Sequence, residues 1–103
     1  MEQTIHYKET KGPRYDFINE NIGFGNIVRS FTIDRGHPNG PEIHTLTDTG
    51  IIIVQNERTK KIVTLLIARP QQIIRLYNLT GDLAPKELLD LAYEHEKLGY
   101  NLM

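Results

Sequence analysis

The chain contains no cysteine. That excludes disulfides, thiolate zinc sites and a cysteine nucleophile, and it suits a reducing compartment. Long apolar runs are missing as well: Ile51–Val54 is far too short to cross a bilayer, which takes about 20 apolar residues in a helix. The opening MEQTIHYKETK has neither an apolar signal core nor an Arg/Ser-rich transit pattern, so a cytoplasmic protein without membrane contact is expected. An excess of charge of one sign is missing too. The formal net charge is -1, so a nucleic-acid function would need a local basic patch. The phosphate-loop patterns GxxxxGK and GxGxxG are absent, and Gly23-Phe24-Gly25 is too short to replace them. No cofactor site is indicated. There is no internal repeat and no low-complexity tract.

What is present reads as one globular domain spanning residues 1–103, with 39% hydrophobic and 24% charged residues. Thr4 to Lys8 alternates weakly, as a short edge strand would, Lys11-Gly-Pro is a break, and Tyr15 to Ile22 suggests a helical turn or two ending at Gly23. From Asn26 to Asp34 strict alternation predicts a strand. Arg35 to Pro41 is turn chemistry, with glycine and proline crowded together. Strands over Glu42 to Thr47, Ile51 to Gln55 and Lys61 to Arg69 follow, joined by hairpin-sized loops, which predicts an antiparallel meander. Pro70 opens a helix with Ile73, Ile74 and Tyr77 at helical spacing and Gly81 as its stop. Pro85 opens a second, with Leu88, Leu89, Ala92 and His95 on one stripe and Gly99 at its end. The fold class is therefore α+β: an antiparallel β-meander of about four strands followed by two C-terminal helices.

If both hairpin loops have an even number of residues, Thr45, Thr47, Ile52, Val54, Val63, Leu65, Ile67 and Arg69 share one face. His44, Leu46, Ile51, Ile53, Ile62, Thr64 and Leu66 then share the other; a three-residue loop would invert part of this sorting. Both faces of Ile51–Val54 are apolar, so both must be covered. The C-terminal helices cover one. The N-terminal segment is the expected cover of the other, with a partner protein or a homodimer as the alternative.

Two places carry the chemistry. Arg69 stands between a strand and a helix whose first N–H groups lack intrahelical partners, an arrangement suited to an anion; pairing with Glu42 or Glu87 is the structural alternative. Arg75, Arg58, Lys60 and Lys61 extend the basic character. His37 and His44 are suited to moving protons near neutral pH, and Thr45 and Thr47 offer hydroxyls beside them. Asp34, Glu42 and Asp48 lie near these histidines, but the spacing matches no zinc pattern, so no metal site is expected. His6 and His95 read as surface or helix-stripe residues.

The succession GHPNGPEIHTLTDTGIIIVQNERTKKIVTLLIARPQQIIRLY, with AYEHEKLGYN after it, resembles a group of small bacterial proteins of phages and mobile elements, over Gly36 to Asn101. More distantly, a histidine-bearing segment leading into an antiparallel meander resembles the barnase/EndoU/colicin/RelE-like ribonucleases. Members of that group cleave RNA without a metal, and their helices usually precede the sheet. The resemblance implies acid–base work for His37 or His44, phosphate stabilisation by Arg69, and a supporting hydroxyl from Thr45 or Thr47. Three functions are thus set against one another. The leading one is a non-catalytic interaction module acting through a sheet face or dimer interface. The others are a metal-independent ribonuclease or toxin-like domain acting on RNA, and an enzyme or small-ligand binder of another type.

Overall fold

In the computed structural model, which describes the backbone of residues 2–102 and the side chains of residues 12–102, the alternating middle of the chain closes into one antiparallel sheet. Its strands are β1 (Ile27–Ile33), β2 (Glu42–Thr47), β3 (Ile51–Asn56) and β4 (Ile62–Ile67), in the order β1-β2-β3-β4. Helix α1 (Glu2–Asn21) precedes the sheet. Helices α2 (Pro70–Asn78) and α3 (Lys86–Lys97) follow it, with a closing 3-10 turn at Tyr100–Leu102. The α+β meander with two C-terminal helices is as expected.

Two expectations are corrected. The segment Thr4 to Lys8 is helical rather than an edge strand, and Lys11-Gly12-Pro13 lies inside the same helix rather than breaking it. The turns that decide this come later: Tyr15, Ile18 and Ile22 recur at helical spacing and pack on the sheet. Gly23, at φ 83°, ends the helix by donating its N–H to the Ile18 carbonyl.

The second correction concerns the sheet's faces. Asp48-Thr49-Gly50 is a three-residue loop closed by Gly50 N–H to the Thr47 carbonyl, with Gly50 in the left-handed region at φ 84°. Leu46 therefore opposes Ile52, and His44 opposes Val54. Across the next pair Ile52 opposes Leu66 and Val54 opposes Thr64, so β3 is inverted relative to the even-loop sorting. A register shift after Val54 leaves Val63 as the unpaired residue of a bulge, 45% exposed.

Each face has its own core. Phe31, Leu46, Ile52 and Val54 pack under Ile73, Leu76 and Tyr77 of α2 and Leu88 and Ala92 of α3. Ile51, Ile53, Leu65 and Ile67 pack under Ile18 of α1, flanked by Tyr15, Phe17 and Phe24. The N-terminal segment is thus the second cover, which explains why β3 carries apolar side chains at successive positions. Arg69 is the extended residue before α2 (φ -87°, ψ 154°), as a residue before proline should be, and its N–H donates to Gln72 Oε1 at 2.8 Å. The strand before it ends at Ile67.

His95 is a packed helix-stripe residue, 6% exposed, stacked on Tyr100 with ring centroids 5.7 Å apart. Its Nδ1 is buried and has no hydrogen-bond partner among the described residues. Burial pushes its pKa below the usual 6.5, against a smaller opposing effect of Glu94. The unfolded chain therefore takes up this proton more readily than the folded one. Its effect on stability is nil above the unfolded value and becomes destabilising as pH falls through and below 6.5. Thermal melts at pH 7.5 and 5.5 check this: the midpoint falls on acidification, and His95→Phe flattens that dependence.

Candidate functional site

The two C-terminal helices leave part of their sheet face open. A groove of about 640 Å³ lies there, within the size range of ligand sites. Its floor is aliphatic: Ile33, Ile52, Val54 and Leu66 from the sheet and Leu76 from α2. Its polar groups come from separate elements. His44 and Glu42 project from β2, Thr64 from β4, Gln72 and Arg75 from α2, and Arg35 from the segment after β1.

Register explains the convergence. Phe31, His44, Val54 and Thr64 form one row straight across the sheet, since each opposes the next. Glu42 lies two residues from His44 and so on the same face, its Oε1 3.2 Å from His44 Nε2. The imidazole, its side chain 11% exposed, is held by that carboxylate, a pairing common in proton-transfer sites. The side chains of Arg35 and Arg75 make no hydrogen bond or ion pair with any described residue. By contrast, Arg29 is held by Asp82 at 2.9 Å and Arg69 by Glu96 at 3.2 Å. Two guanidiniums without protein acids therefore face a groove that already holds a carboxylate–imidazole pair.

The residues singled out in the sequence are spread more widely. His44 is in the groove. His37 is exposed in the loop between β1 and β2, where its carbonyl accepts from Gly40 N–H. Arg69 lines a second, smaller cavity of about 90 Å³ with Arg14, Tyr100 and Asn101, sharing only Leu66 and Gln72 with the groove. Its acidic partner is Glu96, not Glu42 or Glu87. Thr45 and Thr47 are buried on the opposite face from His44, bonded to the Ser30 hydroxyl at 2.9 Å and the Thr49 hydroxyl at 3.0 Å. The threonine that does line the groove is Thr64, whose hydroxyl accepts from Arg14 Nη1 at 3.3 Å.

Glu42, Thr64, Gln72 and Arg35 escape a reading of the sequence as groove residues, and Arg75 is legible only as general basic character. The sequence did leave one signal for Thr64: the even-loop sorting already sets it on the face of His44, and the observed register keeps it there, in line with His44. Among the described residues no three or more His, Asp or Glu side chains gather as metal ligands. No helix among them is long and apolar enough to cross a membrane. Compared with known proteins, the chain matches no family model, no curated protein and no solved structure.

Proposed function

We propose that the chain is a metal-independent ribonuclease-type domain acting at the groove. The observation that carries this reading is the His44–Glu42 pair, 3.2 Å apart on an otherwise aliphatic floor and faced by Arg35 and Arg75. In the reaction Glu42 takes the proton of a ribose 2′-hydroxyl as its oxygen attacks the adjacent phosphorus. Protonated His44 gives a proton to the departing 5′-oxygen as the P–O5′ bond breaks. The products are a 2′,3′-cyclic phosphate and a free 5′-hydroxyl, and the proton on Glu42 returns to His44 across their hydrogen bond. Arg75 and Arg35 hold the phosphate and the charge that builds on it, the role expected of Arg69 from the sequence. Among the described residues no Phe, Tyr or Trp lines the groove, so the reading favours recognition through phosphate and sugar.

Packing of α1 on the second sheet face supports the same choice, because the apolar surface that motivated a docking module is internal. A non-catalytic module of a phage or mobile element remains the second reading. Val63 and Leu79 flank the groove at 45% and 58% exposure, and an apolar partner segment would cover them. The test is incubation of the purified protein with end-labelled RNA in EDTA. Catalysis yields fragments ending in 2′,3′-cyclic phosphate; RNA left intact at high protein concentration removes the ribonuclease reading and leaves the module.

A further inference from the structure

The sheet has two outer edges, and the chain treats them differently. Along β4 two carbonyls are occupied by side chains: Arg14 Nη1 donates to the Leu65 carbonyl at 2.9 Å, and Asn101 Nδ2 donates to the Ile67 carbonyl. The Val63 bulge interrupts the same edge. These are the devices that keep a sheet from adding another strand. β1 carries far less protection. Among the described residues, no hydrogen bond outside its ladder with β2 reaches a backbone group of Ile27–Ile33. Its bulge lies at one end, between Ile27 and Arg29, and Arg29 to Ile33 pairs regularly.

Apolar side chains flank this open edge on both faces. Ile27 opposes Thr47 on the α1 side and is 65% exposed. On the other side Leu83, 95% exposed, follows Asp82, whose carboxylate reaches Arg29 of β1 at 2.9 Å. The loop that presents Leu83 is fixed rather than loose: Asp82 also accepts from the Thr80 hydroxyl at 2.8 Å, and the Arg29 guanidinium lies 5.0 Å from the Phe31 ring centre. An added strand would bury Ile27 on one face and Leu83 on the other.

We infer that the β1 edge is a self-association surface, on which a second copy of this chain adds its own β1 antiparallel and joins two sheets into one of eight strands. The strand's composition favours a copy over an unrelated peptide. β1 is IVRSFTI, whose single charge is the off-centre Arg29, so two-fold antiparallel pairing need not set like charges opposite one another. Each copy also brings the same apolar flanks, so the contact is closed and self-complementary. This inference is independent of RNA cleavage.

The test is mass by light scattering coupled to gel filtration over a dilution series of the full chain. A species of twice 11.9 kDa is expected at the concentrated end. Ile27→Lys and Leu83→Glu, each at an exposed position, should shift it to the monomer with unchanged far-ultraviolet circular dichroism. Leu98→Glu, 60% exposed on the far end of α3, should leave it dimeric. Amide exchange across Ile27–Ile33 should slow with concentration in the parent chain and in Leu98→Glu, but not in the two edge variants. A parent protein monomeric throughout, or edge variants that stay dimeric, would overturn the inference.

Discussion

Changing His44 to glutamine is expected to lower RNA cleavage by about 10²–10⁴-fold, the usual range for losing a general acid or base. Glutamine keeps a polar group opposite Glu42 and fills most of the space, but it cannot deliver a proton at neutral pH. The imidazole lies against the carboxylate at 3.2 Å on the groove floor, so no other described side chain stands ready to replace it. Arg75→Ala should cost on the order of 10²-fold in kcat/KM, by analogy with loss of one donor to a developing anion. Arg75 is exposed, so its loss should leave the melting temperature nearly unchanged. Initial rates on a short labelled RNA, with melting curves on the same samples, separate lost chemistry from lost fold. If both variants cut RNA at the parent rate, any cleavage comes from elsewhere.

The second large effect concerns stability. Ile18→Ala should destabilise the fold by about 2–5 kcal/mol, as expected when a buried isoleucine is truncated in a close-packed core. Ile18 is 0% exposed and is, among the described side chains of α1, the one buried in the core with Ile51, Ile53, Leu65 and Ile67. For a domain of this size each kcal/mol lowers the melting point by roughly 4–8 °C. Leu83→Ala, at 95% exposure, should change stability by less than about 0.5 kcal/mol in the monomer. Urea titration of both variants checks the contrast. A cost for Ile18→Ala as small as that for Leu83→Ala would mean that α1 does not cover the sheet.

The sheet was legible because its strands are dense in β-branched residues and separated by short polar loops. The apolar run Ile51–Val54 also announced two covered faces, and both covers are present. Side-chain direction was less legible, for a single reason. One residue more or fewer in a hairpin loop inverts a strand, and the Asp48-Thr49-Gly50 loop has three residues. That inversion does not move His44 or Leu66, but it changes which β3 residues lie beneath the helices. The first half of α1 was illegible because Thr4 to Lys8 shows no apolar stripe of its own; its helix continues from turns anchored at Tyr15 and Ile18. Arg69 was singled out for its place before a helix, a local feature. Its pairing with Glu96, 27 residues away, is a tertiary fact that spacing does not encode. Arg75 and Arg35 reach the groove from separate elements for the same kind of reason.

Backbone amide shifts of the protein, followed during titration with a short RNA carrying 2′-deoxy substitutions that block cleavage, test the central claim most directly. The account predicts saturable shifts around Glu42–His44, Thr64 and Gln72–Arg75, with His44→Gln still binding. Shifts confined to the His37 loop or to the Arg69–Asn101 cavity, with the groove unperturbed, would contradict it.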